Sequence, residues 1–493
     1  MVRNPDRTEV KRTTTSGRRA ESSGARSPQL LSSPVTYPVL ATGTHLHLSP
    51  TGCWLLYEVS DSPHWNWGLT RISHDEASII LACDGQTSLA DLSARFQPDG
   101  ACAENTVASF LEAMAFKGIL SFSTHPHPSP AFPSVGGSRD FQVPLHVFLE
   151  LTDRCNQVCR HCYRDSRPDV GTFAPTELVL QAVEDLAQHG TLVCEITGGE
   201  PTIHPDFEHI VAACARHFEL ISIISNGLLV DSNLASLLSD LRSETMILVS
   251  ITLNSHDASF HDAFVGRTGS HAAACQAISL LSSANILVRA TMNVVPENLS
   301  HLEKTAELAL DLGAEAFAPA FVMPFGRASS IDWSNVSMEE VERYERTYAR
   351  LKKKYPLNVV ALPETAFDVV EAPNCGAGSR SIVVSPLGDI RPCVTIPPDI
   401  RLGNIFLEPL ETCLNNSLAL ELESLAAPST ATCGSCEYAG FCNRCFWRGL
   451  VAREATEACP WFEEHVRERL SALHIPPDYR EGVRHMLPVP PSM

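Results

Sequence analysis

Short apolar runs recur through the middle of the chain: Val147–Leu151, Val193–Thr197, Leu220–Ser225, Ile247–Thr252, Leu287–Val294 and Ala316–Val322. The stretches between them carry apolar positions at helical spacing, as in Thr176–His189, Pro205–Phe218, His271–Ala284 and Leu299–Leu312. Alternation of strands and helices in runs this apolar predicts an α/β fold over residues 143–330, with a parallel sheet and helices outside it. In such folds the working side chains gather at the carboxyl ends of the strands.

A different order precedes this region, over residues 40–125. His45–Ser49, Cys53–Val59 and Trp67–Ile72 read as short strands between Pro- and Gly-containing turns. Amphipathic helical stretches follow at Asp75–Cys83, Ser88–Phe96 and Glu104–Lys117, then a last strand, Ile119–Phe122. The turn between the first two helices, Cys83-Asp-Gly-Gln-Thr-Ser88, supplies Gly85 as a stop and Thr87 or Ser88 as an N-cap. Residues 126–142 read as a Pro- and Gly-rich linker and 331–372 as a helical connection, with Met338–Lys354 amphipathic and charged. Residues 1–34, rich in Ser, Thr and Arg, lack the apolar side chains that offset the entropy of ordering, so a disordered tail is expected there. An organellar transit peptide is the alternative for this tail, but Asp6, Glu9 and Glu21 count against it. Residues 476–493 form a second tail.

At 493 residues and 44% apolar, the chain has the length of about three globular domains. Its formal charge of −20 is uneven: residues 1–27 hold seven Lys/Arg against three Asp/Glu, a net of +4, leaving −24 for the rest. So acidic a body repels phosphates, and no nucleic-acid partner is expected. No stretch of about 18 apolar residues is present and no secretory leader is visible, so neither a membrane partner nor export is expected. Ten of the 17 cysteines fall into metal-like groups. Cys53, Cys83, Cys102, Cys194, Cys214, Cys275 and Cys413 sit mostly in apolar surroundings and read as core thiols, so a reducing cytoplasm is expected.

The chemistry concentrates first at Cys155-x3-Cys159-x2-Cys162, directly after the first apolar run. Three thiolates in so compact a loop leave one metal position without a protein ligand. A structural zinc would need a fourth ligand, for which His161 is the local candidate; three unconnected core thiols are a second alternative, against which the regular spacing directly after a buried strand argues. The loop resembles the signature of the radical S-adenosylmethionine (SAM) enzymes. The resemblance implies a partial (β/α)6 TIM-like barrel in which Cys155, Cys159 and Cys162 hold a 4Fe-4S cluster. It also implies that the open iron chelates SAM, and that one electron from a donor such as flavodoxin or ferredoxin cleaves SAM to a 5′-deoxyadenosyl radical. Gly198-Gly199-Glu200-Pro201, ending the second strand, resembles the family's GGEP motif, whose backbone and Glu contact the SAM amino group. Ser225-Asn226-Gly227, Ser250, Thr252, Asn293 and Pro324-Phe325-Gly326-Arg327 resemble further family positions near SAM and substrate. The acidic residue that the family often carries near Asn254 is absent.

A second constellation follows: Cys375-x12-Gly388-x4-Cys393, then Cys433-x2-Cys436-x5-Cys442-x2-Cys445, then Cys459. A zinc ribbon would separate its two pairs by roughly 15–20 residues, whereas five lie between Cys436 and Cys442. Residues 373–475 resemble the SPASM extension of radical SAM peptide-modifying enzymes, which binds two auxiliary iron–sulfur clusters. The resemblance gives Cys433, Cys436, Cys442 and Cys459 to one cluster and Cys375, Cys393 and Cys445 to the other. Only Asn443-Arg444 precede Cys445 where the family usually has three residues, and Ser381 stands where some members have a further cysteine. The second cluster therefore has either an open iron or another ligand such as Cys413.

Residues 40–125 resemble a PqqD-like domain, a winged-helix-like α+β module that binds leader peptides of ribosomally made precursors. DNA is the rival partner for such a module, but it carries three basic against nine acidic side chains here, a net of −6. A peptide adding as a strand beside Trp67–Ile72 and against the third helix fits better. Together the resemblances imply a maturase that oxidatively modifies a precursor peptide through a thioether, carbon–carbon crosslink or related change. An oxidoreductase acting on a protein side chain or small molecule, of sulfatase-maturing or haem-pathway type, shares both cysteine regions without needing the leader module. A non-catalytic peptide carrier is a third class, against which the GGEP motif and the three loop cysteines argue.

Overall fold

A computed structural model describes residues 35–58, 67–96, 104–129, 134–322, 326–331, 338–360, 367–368, 374–396, 399–415, 417–434, 436, 438–442, 445–453, 458–469 and 473. The two expected tails, Pro324 and Phe325, and parts of the linker and of the helical connection lie outside these residues.

The N-terminal part begins with β1 (Tyr37–Leu40), then a meander of β2 (His45–Ser49), β3 (Gly52–Glu58) and β4 (Trp67–Ile72). Helices α1 (His74–Leu81), α2 (Leu89–Arg95) and α3 (Glu104–Phe116) follow, and β5 (Leu120–Ser123) pairs antiparallel with β1. The first helix starts at a capping box: Ser73 accepts from the Glu76 N–H, and Glu76 from the Ser73 N–H. Ser88 caps α2, accepting from the Asp91 N–H at 3.1 Å.

Strand β3 explains how this module sits. Its consecutive apolar residues point to both faces: Cys53 and Leu55 pack under α1–α3, while Trp54 and Leu56, with Leu69, pack on Leu145, Val193, Leu220 and Ala316. Those last residues stand at or just before the amino ends of barrel strands, so the module covers the barrel floor. Trp54 is also flanked by two guanidiniums, those of Arg71 at 5.1 Å and Arg380 at 4.7 Å from the ring centroid.

Part of the expected linker is ordered structure. Residues Ser134–Gly137 form β6, parallel to β2. Gly137 has φ +76° and its N–H donates to the His189 carbonyl at 2.8 Å. A Cβ on it would meet the Leu48 carbonyl oxygen at 2.2 Å, and one on Gly136 would meet Gly190 at 2.9 Å. The two glycines thus let the connection wedge between module and barrel.

The barrel strands are β7 (His146–Glu150), β8 (Val193–Thr197), β9 (Leu220–Ser225), β10 (Met246–Thr252), β11 (Leu287–Val294) and β12 (Ala316–Phe321), all parallel and in sequential order. Crossovers run through α4 (Thr176–Gln188), α5 (Phe207–His217), α6 (Ser232–Leu241), α7 (Ala258–Val265) with α8 (Ser270–Ser283), and α9 (Leu302–Asp311). The outward positions Val147, Leu149, Ile196, Ile221, Ile223, Val249, Ile251, Val288 and Ala290 form the core under the helices. The inward positions are largely polar: His146, Glu150, Glu195, Thr197, Ser222, Ser250, Arg289 and Thr291, all buried. Pro319, which has no N–H to give a further strand, lies on β12, at one end of the sheet.

Helix α10 (Met338–Lys354) follows, and β13 (Phe367–Asp368) adds to β4 beside Trp67 and Gly68. The chain then returns to the barrel as β14 (Ser381–Val384), which pairs parallel with β7, and continues through β15 (Asp389–Arg391) and β16 (Gly403–Asn404) to make a nine-stranded sheet. Short helices α11 (Leu410–Leu414), α12 (Ser417–Ser424), α13 (Thr430–Cys433), α14 (Ala439–Cys442) and α15 (Phe446–Arg453) complete the cysteine-rich region.

Trp54→Ala should cost about 3–5 kcal/mol, because it removes the ring shared by module and floor. Thermal unfolding measures the loss, and limited proteolysis should show the module detaching first while its own core stays protected.

Candidate active site

The segment after β7 folds back on itself. Cys155 N–H donates to the Arg167 carbonyl at 3.2 Å, and the Val158 and Arg160 N–H groups donate to Val265 and Phe264 at the end of α7 at 3.1 and 2.9 Å. From the other side, Arg327 donates through Nε to the Cys159 carbonyl at 2.8 Å and through Nη1 to Asp165 at 2.7 Å. Its own N–H donates to the Cys162 carbonyl at 2.9 Å. Gly326 permits this clasp, since a Cβ there would meet the Cys162 and Tyr163 carbonyl oxygens at 2.6 and 2.3 Å.

The Gly198-Gly199-Glu200-Pro201 turn is seated on the same loop. Gly199 N–H donates to the Thr152 carbonyl at 2.7 Å and Glu200 N–H to the Arg154 carbonyl at 2.9 Å. A Cβ on Gly198 would lie 2.4 Å from the Thr152 oxygen, and one on Gly199 2.0 Å from the Arg154 oxygen. Both glycines are therefore required by contact with the cysteine loop itself.

Glu200 is buried, and its carboxylate accepts from Thr202 Oγ1 (2.6 Å), the Thr202 N–H (3.3 Å), Ser225 Oγ (2.9 Å) and the Asn226 N–H (2.8 Å). Burial pushes its pKa up, and these donors pull it back. The side chain thus ties the ends of β8 and β9 together. Asn226 in turn donates to Asn156 Oδ1 at 2.6 Å and reaches to 4.0 Å from Cys155 Sγ.

Cys155, Cys159 and Cys162 are brought together as free thiols. Burial, then the charges of Glu200 and Cys162, push Cys155 up to about 12, a shift that bound cationic iron would reverse. Among the described residues no three His, Cys, Asp or Glu side chains converge on a single ion. Thiols spread around a multi-iron cluster need not do so. His161, the candidate fourth zinc ligand, instead stacks on Phe264 with ring centroids 4.9 Å apart.

The polar barrel interior suits a zwitterionic cofactor. Ser250 Oγ, Ser222 Oγ and Asn254 Nδ2 are buried there without hydrogen-bond partners. Asn254 holds Asn293: its Oδ1 accepts from the Asn293 N–H at 2.9 Å and from its Nδ2 at 3.3 Å, while Asn298 donates to both backbones. At the place where the resembled family often carries an acidic residue, an asparagine network braces the ends of β10 and β11.

The second constellation separates into two groups. Cys442 lies within reach of Cys459, Cys433 and Cys436 and, more weakly, of Cys445 of the other group, and Cys459 within reach of Cys433 and Cys436. Cys375 feels Cys445 and Cys393, and Cys445 feels Cys393. Cys445 stands immediately before α15, where N–H groups of Trp447 and Arg448 point at its sulfur. Cys413, considered as a further ligand, is buried in α11, where its thiol packs against Gly403.

Sequence comparison agrees with this geometry. Residues 149–309 match the Radical SAM superfamily and residues 375–445 the SPASM iron-sulfur cluster-binding domain. The antilisterial bacteriocin subtilosin biosynthesis protein AlbA of Bacillus subtilis is 34% identical over 340 residues, 68% of this chain and 75% of AlbA. The chain belongs to the radical SAM superfamily. It is thus a radical SAM enzyme with a SPASM region, and its cofactors are SAM, a SAM-binding 4Fe-4S cluster and auxiliary clusters. The AdoMet-dependent heme synthase of Methanosarcina barkeri is 25% identical over 332 residues, 63% of this chain and 93% of the synthase. The crystal structure of Streptococcus suis SuiB bound to precursor peptide SuiA shares the fold, with a TM-score of 0.59 at 14% identity over 86% of this chain and 98% of SuiB.

Replacing Cys155, Cys159 and Cys162 together with Ala should abolish SAM cleavage and remove about a third of roughly twelve irons per chain. Iron analysis and 5′-deoxyadenosine assay after anaerobic reconstitution check this; undiminished cleavage would contradict the cluster assignment. Gly199→Ala should lose SAM binding through displacement of the Arg154 carbonyl.

Proposed function

We propose that this radical SAM enzyme matures a ribosomally synthesised peptide, forming a thioether, a carbon–carbon crosslink or a related oxidised bond. With SAM and its cluster bound, the site would be supplied with radical chemistry able to remove hydrogen from the substrate. Cys155, Cys159 and Cys162 hold that cluster, and the residues around it place SAM: Gly198 to Pro201 by backbone, with Ser225, Asn226, Ser250 and Asn293 lining the barrel. Cys433, Cys436, Cys442 and Cys459 hold one auxiliary cluster, and Cys375, Cys393 and Cys445 the other. A small electron-transfer protein such as flavodoxin or ferredoxin supplies the electron, and the cytoplasm is where the thiols stay reduced.

The observation that carries the reading is the surface left open on the N-terminal module. Phe116, the last residue of α3, is 95% exposed, and Ala113 one turn earlier is exposed beside it. The neighbouring Lys117 donates to Thr70 Oγ1 of β4 at 3.1 Å, so this apolar end of α3 lies along β4. Strand β4 pairs with β3 along its length and with β13 at Trp67 and Gly68. Exposed aromatic surface at the end of a helix suits a peptide whose apolar side chain meets Phe116. The module is in this reading PqqD-like, and β13 already covers the start of the strand beside which a peptide was expected to add.

AlbA takes part in making a bacteriocin, and SuiB was crystallised with its precursor peptide, which supports the same substrate class here. The heme synthase favours a small-molecule substrate instead. However, 63% of this chain accounts for 93% of that enzyme, so much of the present chain has no counterpart in it.

Because the module seals the barrel floor, its deletion would expose Leu145, Val193 and Leu220, and a surface substitution is the cleaner test. Phe116→Asp in the full-length protein should weaken binding of the precursor's leader segment about tenfold or more while SAM cleavage persists. Fluorescence titration with the peptide encoded beside the gene measures it. Unchanged affinity, or binding of duplex DNA instead, would favour the small-molecule or regulatory reading.

A further inference from the structure

Glu150, the last residue of β7, points into the barrel and is fully buried. Each of its carboxylate oxygens meets a different guanidinium: Oε1 that of Arg164, and Oε2 that of Arg391 at 2.7 Å. Arg164 lies two residues after Cys162 and also grips Asp153, two residues before Cys155, so it closes the base of the cysteine loop. Arg391 lies on β15, two residues before Cys393. One carboxylate therefore joins the loop of the first three cysteines to the strand that delivers a ligand of the second constellation.

We infer that Glu150 is a positioning residue, setting how the SAM-cluster loop and the Cys375, Cys393, Cys445 group face each other. The backbone alone does not hold this relation. The β7–β14 ladder ends at the Leu149–Val384 pair, one residue before Glu150, and beyond it the two chains part into their cysteine segments. The carboxylate carries the connection past that point, because Arg391, opposite Val383 on the hairpin, reaches across β14 to it.

The charges are matched, two carboxylates with two guanidiniums, and the arginine side chains are only 12% and 9% exposed. Buried charges of this kind hold their geometry only when every partner is present. Arginine suits the role better than lysine, since its planar fork fixes direction as well as distance. A substrate group that loses hydrogen on one side and an electron on the other has to sit between these two segments, so their separation bears on coupling of the two events.

The inference rests on the cluster assignment proposed above, and the test separates the two. The reconstituted full-length protein, reduced with dithionite and loaded with SAM, is compared with Glu150→Gln and Arg391→Met by iron analysis and pulsed electron paramagnetic resonance. Glu150→Gln keeps the shape but points an amide N–H2 at a guanidinium; Arg391→Met cuts only the auxiliary side and serves where the first variant folds poorly. The expected result is full iron content in both, with the dipolar coupling between the SAM cluster and the auxiliary cluster broadened and shifted from wild type. Arg391→Lys, which retains the charge but not the planar fork, should bring the coupling only part of the way back towards wild type. Unchanged coupling in both variants would overturn the inference. So would loss of about four irons from either, because Glu150 or Arg391 would then be a scaffold for one cluster and not a link between two. A wild-type protein without auxiliary iron would remove the assignment and the inference with it.

Discussion

The parallel pairing of β14 with β7 decides where the chemistry of this protein can lie. In a parallel ladder both strands point their carboxyl ends the same way. The segment leaving β7 carries Cys155, Cys159 and Cys162, and the segment leaving β14 turns through the hairpin to Cys393. Two cysteine groups more than 200 residues apart in sequence are thereby hung from neighbouring strands of one sheet. Cys375 precedes β14 and is held by the same return: Gly378 N–H donates to the Ser381 and Pro392 carbonyls at 2.8 and 3.0 Å, which folds its segment back against the hairpin.

That arrangement is stiffened by backbone contacts that leave no room for a Cβ. Gly198 and Gly199 press on the Thr152 and Arg154 carbonyls, and Gly326 on the Cys162 carbonyl, so the cysteine loop is enclosed by the ends of β8 and β12 as well. For a cluster held by these cysteines, as proposed, the consequence would be preorganisation: thiols held by packed backbone on several sides need no reordering when iron arrives. The interior below is unusual for a barrel, whose centre is normally filled with branched apolar side chains. Here the inward face carries Glu195, Ser222, Ser250 and Arg289, and the barrel offers polar groups where another would offer a core.

Much of this was legible in the chain because the outward positions of the strands are apolar and the turns are marked. Val193–Thr197, Leu220–Ser225 and Leu287–Val294 coincide with β8, β9 and β11. Strands β1, β6 and β13 were not legible. Ser-Val-Gly-Gly in β6 has almost no side-chain signal, and its stability comes from a partner about 90 residues earlier, which local pattern cannot show. The cysteine groups followed from spacing, but the bracing role of Glu200 did not: its motif pointed to SAM, and the structure shows in addition a carboxylate that accepts from Thr202, Ser225 and Asn226. Glu150 left a signal that went unused. An acid closing an apolar strand is out of pattern, and a buried charge implies a partner.

The position of the N-terminal module sets a condition on any peptide read there. The module covers the amino ends of the strands, whereas the cysteine loops lie at the carboxyl ends. Strands of five to eight residues separate floor from mouth, which at about 3.3 Å per residue is roughly 20 Å. A peptide anchored beside Phe116 cannot pass through an interior sealed by Trp54, Leu56 and Leu69, so it has to run outside the barrel and enter from above. Its anchor and its modified residue must then be separated by at least about six extended residues, and binding energy gained at the floor raises the local concentration of the reacting segment at the mouth only when that spacing is met.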